Sequence, residues 1–454
     1  VCVRGEDEGL LFIIFEGECD VLNEDGEVVR KMKAGDWVGE TSLIDDVPAE
    51  VTVRVTSTEA TVLVLDTGCL ELVLKAISEL KDASIAKMTG SGDACKSPQF
   101  KLKLDDLAKK SFADDILKKK MDRSLRASAD RRNEDETGDI DFTKLDKVGA
   151  LGEGSFGTVL LMRDAANGKD YALKGLLKSQ IRAENTAESV ANERQVMLLM
   201  DSPFICRLYG TWQDSVYVYL LQEPAMGGEL FDVYNSQNLF GSLRHAKFYI
   251  ACVTIGLQHM HQQRVIYRDL KLENCLVDSK GYVKLADMGI AKLVVGKTYT
   301  VCGTADYFAP ETLKQTGHNR AADWWACGIL LFIMIAGRSP FDAPEVSQIY
   351  KNIIKGFSKV EFPDNLPSDL TDVIKSLCRK KPEERVCMQK GGVENLKQMS
   401  FFTKFDWEKL DRRELETPWI PDPVDEAKIA AKKLSRAMDI DYATLTDWDG
   451  SFPD

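Results

Sequence analysis

The segment "LGEGSFGTV", residues 151–159, places Gly152, Gly154 and Gly157 in a Gly-x-Gly-x-x-Gly-x-Val pattern. Glycines at that spacing let a backbone turn tightly and bring its N–H groups close to phosphates. The flanks constrain the fold. "KLDKVGAL" precedes the glycines and "TVLLMRDA" follows them, and both read as strands. A dinucleotide-binding fold needs a helix directly after its glycines. This chain has a strand, a loop tipped by Ser155 and Phe156, and another strand. "YALKGL" then sets Lys174 in an apolar strand, and Glu193 in "ANERQVMLL" sits on the following helix. Taken singly, Lys174 reads equally as a lysine snorkelling from an edge strand, and Glu193 as a solvated helix charge.

"YRDLKLENCLV" removes that ambiguity. It supplies Asp269, Lys271 and Asn274 in one short loop before a strand; "KLADMGIAK" then supplies Asp287, and "APE" ends at Glu311. The order and spacing match the protein-kinase signature set. From about Phe142 onward the chain resembles the AGC group of Ser/Thr protein kinases. Tyr267 stands where most kinases have histidine, as is common in this group. "GKTYTVCGTADYFAPE" resembles the group's activation segment, "DWWACGILLFIMIAGRSPF" its buried central helix, and "PWIPDP" with "DWDGSF" its C-terminal extension.

The resemblance implies roles. The glycine loop (Leu151, Gly152, Glu153, Gly154, Ser155, Phe156, Gly157) would cover the phosphates of ATP. Lys174, held by Glu193, would contact the α- and β-phosphates. Asn274 and Asp287 would hold Mg2+, a hard cation that takes oxygen ligands. Asp269 would orient the substrate hydroxyl and accept its proton, and Lys271 would stabilise the transferred group. Adenine would lie against Leu151, Val159, Ala172 and Leu276, beside Gln222, with backbone contacts at Glu223 and Ala225. Glu229 would meet the ribose. Thr300 occupies the phosphosite position, where a phosphate would pair with Arg268 and Lys292. Glu311 would pair with Arg385. Cys302, two residues beyond Thr300, is a candidate redox-sensitive thiol.

Three residues depart from the pattern. Met288 follows the magnesium aspartate in place of phenylalanine. Pro224 stands in the hinge and removes an N–H that adenine does not use. Ile333 replaces a glutamate that selects substrate arginine. Glu229 and Glu273 remain, so a basic-leaning substrate preference is expected.

The N-terminal part is strand-rich from Leu10 to about Asp66, with "VTVRVTS" and "ATVLVLD" repeating the pattern, and residues 69–88 read as a helix. "GEVVRKMKAGDWVGETSLIDDVPAEVTVRV" resembles the last cyclic-nucleotide-binding domain of cGMP-dependent protein kinases, whose terminal Trp-Asp-x-x-Phe motif "DWDGSF" also resembles. Gly39, Glu40 and Thr41 fit the family's phosphate cassette, and Glu40 keeps the ribose carboxylate. The phosphate arginine position is Ala49, followed by Glu50. A cyclic phosphate needs a charge-assisted donor. An inward Glu50 at about 4 Å would oppose it by on the order of 4 kcal/mol at an effective dielectric near 20. The pocket is therefore expected to bind cGMP and cAMP weakly or not at all, leaving a structural domain or a nucleoside site. Arg54 on the following strand could compensate, but alternation puts it on the same face as Glu50 and Thr52, with no guaranteed ligand position.

The expected architecture is an α+β multidomain chain. Residues 1–88 form a cyclic-nucleotide-binding β-roll with a C-terminal helix. Residues 89–141 form a charged linker, in which Ser128 of "RSLRAS" follows two arginines but reads more plainly as solvated linker. Residues 142–402 form a bilobal kinase fold with a β-rich N-lobe and a helical C-lobe, and 403–454 an extension. The net charge of −13 excludes bulk nucleic-acid affinity. The 11 cysteines include no Cys-x-x-Cys pair, which fits a reducing, cytoplasmic setting. The most apolar run, "GILLFIMIAG", is too short to span a bilayer. Strand-like sequence almost immediately after Val1 points to an N-terminus further upstream. The expectation is a Ser/Thr kinase regulated through cyclic-nucleotide-type domains and acting on protein substrates. A cAMP-dependent-like or other AGC kinase and a pseudokinase scaffold are the alternatives; oligomeric state is not legible.

Overall fold

The computed structural model describes residues 10–23, 26–38, 52–66, 140–154, 157–294, 297–364, 366–432, 434 and 438–452. The cassette residues Gly39, Glu40, Thr41, Ala49 and Glu50 lie outside the described residues. So do the expected helix 69–88, the linker around Ser128, and the loop tip Ser155–Phe156. The chain divides into two compact units, one holding Val1–Arg123 and the other Ser124–Val294 with Thr298–Asp454. The division falls inside the expected linker.

In the first unit, β1 (Leu10–Glu16), β4 (Trp37–Val38) and β6 (Thr61–Asp66) form one three-stranded sheet. β2 (Glu18–Leu22), β3 (Val28–Lys33) and β5 (Thr52–Val55) form another. In β2 the period of two sends Cys19 and Val21 inward, where they join Phe12, Ile14, Met32, Val38 and Val53 in one core. This is the antiparallel roll expected from the sequence. Arg54 pairs in register with Asp20 and reaches its carboxylate at 4.0 Å, with 60% of its side chain exposed.

The second unit begins with β7 (Leu145–Gly154), β8 (Gly157–Asp164) and β9 (Asp170–Leu177), followed by helix α1 (Ala187–Leu199), β10 (Leu208–Gln213) and β11 (Tyr217–Gln222). Every neighbour in the antiparallel sheet β10-β11-β9-β8-β7 is a sequence-local or near-local pairing. Central strand β11, "YVYLLQ", is buried on both faces, which is why it reads as an apolar run rather than an alternation. Gly157 is required here by packing. A Cβ on it would lie 1.9 Å from the carbonyl oxygen of Gly175 on β9.

The later part is helical. Helix α2 (Leu243–Gln262) and helix α3 (Ala321–Ala336) pack against each other, and α3 also packs on α4 (Ser368–Leu377). Strand β12 (Gly228–Glu229) precedes α2, and between α2 and α3 run the short strands β13 (Val265–Ile266), β14 (Cys275–Val277), β15 (Val283–Leu285) and β16 (Lys292–Leu293). Strand β14 joins β12 to β15, and β13 pairs with β16. The run "GILLFIMIAG" is the interior of α3, which ends where Gly337 takes the left-handed conformation. At Gly328 the helices approach so closely that a Cβ would meet Cys378 Sγ at 2.4 Å.

The C-terminal extension returns to the strand-rich part. Helix α5 (Glu426–Ala431) lies against β7, and β17 (Thr446–Asp447) adds an edge strand to β10. Trp448 of "DWDGSF" is buried; its backbone N–H donates to Thr211 O at 3.1 Å, its carbonyl accepts from the Thr211 hydroxyl at 2.7 Å, and its indole N–H donates to Ser451 O at 2.8 Å. Among the described residues eight cysteines are free thiols, seven of them buried. No helix among them is long and apolar enough to cross a membrane.

One ion pair holds the start of α3. Arg385, wholly buried, donates to both oxygens of Glu311 at 2.6 and 2.7 Å, to Ala321 O at 2.6 Å and to Arg379 O at 3.1 Å. Removing one partner of such a pair strands a buried charge. Arg385→Met is therefore expected to lower the unfolding free energy by about 3–5 kcal/mol, read as a shifted midpoint in urea denaturation. An unchanged midpoint would show that the pair adds nothing to the fold.

Candidate active site

The site is assembled from the sheet, α1 and the loops between α2 and α3. On β9, Lys174 stands in register with Val159 on β8 and Leu220 on β11, so its strand cannot slide without disturbing both neighbours. Its ammonium meets Glu193 Oε1 of α1 at 2.7 Å. Burial opposes the lysine's charge, but Glu193 and then Asp287 outweigh it and raise the pKa. Lys174 thus stays cationic. Asn192, one residue before Glu193, donates to Ala291 O at 2.7 Å and ties α1 to the chain just beyond Asp287.

The loop carrying Asp269 is fixed from beneath. Asp323, in the first turn of α3 and almost fully buried, accepts the backbone N–H groups of Tyr267 at 2.9 Å and Arg268 at 2.8 Å. His261 Nε2 lies 2.7 Å from the same carboxylate. Tyr267 donates its hydroxyl to Ala286 O, immediately before Asp287. Above this base, the Asp269 carboxylate meets Lys271 Nζ at 3.0 Å, Asn274 Nδ2 at 2.7 Å and Thr304 Oγ1 at 3.3 Å. Asp287 holds a positive φ of 55° and accepts Gly289 N–H at 3.3 Å.

The donor set suits a hard cation. Asn274 spends its amide nitrogen on Asp269, so its side-chain oxygen and the Asp287 carboxylate are the oxygens that could hold such a cation. Among the described residues no group of three or more His, Cys, Asp and Glu gathers as a self-sufficient metal cage. Two protein oxygens completed by phosphate oxygens is the arrangement that Mg2+ favours.

The residues expected to contact the nucleotide lie on elements of both the strand-rich and the helical part of this unit. Leu151, Gly152, Glu153 and Gly154 end β7, and Gly157 and Val159 begin β8. Ala172 is in register with Gln222, and Leu276 with Glu229. Gln222 turns its amide onto Met197 Sδ at 3.4 Å. Glu223 commits its N–H to Arg207 O at 2.8 Å, so a ligand could use only its carbonyl. Glu229 has a raised pKa because of partial burial and then the nearby Asp232 and Glu273, against which Lys271 works. Glu273 is exposed beside Asn274.

Arg268 and Lys292 are the residues expected to meet a phosphate on Thr300. Thr300 is exposed, and Arg268 gives its Nε–H to Ile290 O at 2.7 Å rather than to the Thr300 region. The Nη1 of Arg268 is buried without a partner. Lys292 is exposed on β16. The redox expectation for Cys302 meets contrary chemistry: burial raises its thiol pKa, although Arg268 partly offsets this. Met288 is fully buried and fills the core position its replacement suggested. Ile333 packs beside the core of Trp325, Ile329 and Phe341, so apolar contact replaces the missing carboxylate there.

Several site residues had no sequence signal. Lys432, beyond α5, donates to Leu151 O at 2.5 Å, and Glu426 meets Arg163 at 2.9 Å. Thr304, Asn192 and Lys284 also touch the machinery through partners far away in sequence. A lysine inside "YVKLAD" reads as the outward residue of an alternating strand, whereas Val283, Lys284 and Leu285 are all buried.

Comparison with known proteins agrees with this geometry. The family described as protein kinase domain matches residues 145–402, and that described as cyclic nucleotide-binding domain matches residues 1–76. The chain is 35% identical to cGMP-dependent protein kinase, isozyme 1, of Drosophila melanogaster, over 86% of this chain and 48% of that protein. It is 30% identical to cGMP-dependent protein kinase 2 of Homo sapiens, over 99% of this chain and 59% of that protein. A cGMP-dependent protein kinase of Caenorhabditis elegans is 32% identical over 92% of this chain and 51% of its own length. The chain thus spans about half to three fifths of the length of these relatives. With the catalytic loop, the lysine–glutamate pair and the matched domain in agreement, the chain belongs to the protein kinase family and carries a cyclic nucleotide-binding domain ahead of its kinase domain.

Proposed function

We propose that this chain is an active serine/threonine protein kinase of the cGMP-dependent type, transferring the γ-phosphate of ATP to protein hydroxyls. The observation that carries the reading is the joint presence of the Lys174–Glu193 pair at 2.7 Å and of Asp269 beside Lys271 and Asn274. A pseudokinase has no need to keep this set. Lys174 holds the α- and β-phosphates, and Asn274 and Asp287 hold Mg2+, which neutralises phosphate charge when bound. Asp269 accepts the substrate hydroxyl's proton, and Lys271 lies over the developing charge. Leu151, Val159, Ala172 and Leu276 enclose adenine, and Glu229 meets the ribose.

Thr300 is the regulatory phosphosite in this reading. The orphaned Nη1 of Arg268 supports it, since a buried guanidinium N–H without a partner suits an arriving phosphate. Substrates carry basic residues near the target hydroxyl, drawn by Glu229, Asp232 and Glu273. Ile333 removes one arginine contact. The working domain limits are 1–88, 89–141, 142–402 and 403–454. Free, mostly buried thiols support a cytoplasmic setting. The visible cyclic-nucleotide pocket, lacking an arginine at Ala49, is structural in this reading.

Phosphate transfer to a basic Ser/Thr peptide, followed with labelled ATP, tests the catalytic reading. Asp269→Ala is expected to lower kcat by about 10²–10⁴-fold while ATP still binds. Chelating divalent cations should abolish transfer. A wild-type chain that binds ATP without transferring phosphate would establish the scaffold reading instead. Titration calorimetry with cGMP should detect no submicromolar binding to the wild-type chain, and Ala49→Arg should strengthen binding. Submicromolar affinity in the wild type would overturn the structural assignment of that pocket.

A further inference from the structure

Lys284 is a buried cation that the kinase signature does not use. It lies on β15, in register with Leu276 of the proposed adenine floor and three residues before Asp287. Only 1% of its side chain is exposed. Its ammonium donates to Pro203 O at 2.6 Å and to the Glu223 carboxylate at 3.0 Å. Those partners lie on different segments. Pro203 precedes the stretch in which Leu285 N–H donates to Phe204 O and Cys206 N–H donates to Leu285 O. Glu223 is the residue just after β11, at the start of the segment proposed to contact adenine through its backbone.

Desolvating an ammonium is costly unless it is paired and its hydrogen bonds are filled. Here the cost is offset only when the Pro203 turn, Glu223 and β15 are all in place. Pro224 has a fixed φ and no N–H to anchor the next peptide. The Glu223 side chain and its N–H bond to Arg207 O are therefore the holds on this end of the hinge. From this geometry we propose that Lys284 is the positioning residue that sets ATP affinity, by clamping Glu223 so that the backbone edge from Glu223 to Ala225 is preorganised for the purine. It does not touch the transferred phosphate. The inference rests on the kinase reading above for the identity of the nucleotide.

The test uses the full chain, with ATP titrated by calorimetry and steady-state kinetics on a basic Ser/Thr peptide. Lys284→Met is expected to raise both the ATP Kd and the ATP KM by about tenfold, the scale of one charge-assisted hydrogen bond. Its kcat and peptide KM should stay within about twofold, since positioning of the nucleotide alone is lost. Glu223→Gln, which keeps an acceptor on a partly exposed side chain, should weaken ATP by a smaller factor, and the double variant should be no worse than Lys284→Met. Should Lys284→Met not fold, Glu223→Gln alone decides: unchanged ATP affinity overturns the clamp. Unchanged ATP Kd in Lys284→Met, or a fall in kcat at constant ATP KM, overturns it as well. A wild-type chain that binds ATP but transfers no phosphate overturns the kinase reading, and the Kd comparison still judges the clamp.

Discussion

The buried carboxylate of Asp323 is the constraint on which the rest of the site depends. It sits in the first turn of α3, where the helix dipole favours a negative charge, and both its oxygens are filled by Tyr267, Arg268 and His261. A carboxylate removed from water needs those donors, so the loop that carries Asp269 has little freedom to lie elsewhere. Arg385 holds the same helix end through Ala321 O while paired to Glu311. The loop bearing Asp269 is thus built on an apolar helix whose polar first turn is fully engaged.

Two further ties flank Asp287, the second reaching the helix of the strand-rich part. Tyr267 bonds Ala286 O next to Asp287, and Asn192 bonds Ala291 O just beyond it. Lys174 and Glu193 close the opposite side, with Asp287 adding to the field that keeps the lysine charged. The C-terminal extension then adds a layer. Arg194, the neighbour of Glu193, donates to Thr211 Oγ1 at 3.0 Å, and Thr211 donates to Trp448 O at 2.7 Å. The chain's end is therefore wired to the helix that presents Glu193, while Lys432 contacts the glycine strand. The tail belongs structurally to the site although it contributes none of the proposed reacting groups.

Much of this was legible in order and spacing. The glycine pattern between two strands separated a kinase-like hairpin from a dinucleotide fold because a helix was missing where one would be needed. Asp269, Lys271, Asn274 and Asp287 stood out because they lie close together along the chain, in segments with recognisable edges. Gly157 was legible for the wrong reason in part: its lack of a side chain answers to Gly175 on the adjacent strand as well as to any phosphate. Lys284 was illegible. In isolation its strand looks alternating, and only the partners stacked on both faces make the lysine internal.

By itself the sequence determined the order of the two domains, the strand-rich and helical parts of the kinase domain, and the short spacing of Asp269, Lys271, Asn274 and Asp287. These depend on local periodicity and on residue types at short spacing, which chain order preserves. Tertiary structure decided which distant groups meet. It brought Arg385 to Glu311, Lys432 to Leu151 O, Trp448 to Thr211, and Lys284 to Glu223 and Pro203. Those pairings arise because burial forces each charged or polar group to find a partner wherever packing places one. A linear sequence records the need for such a partner and not its address.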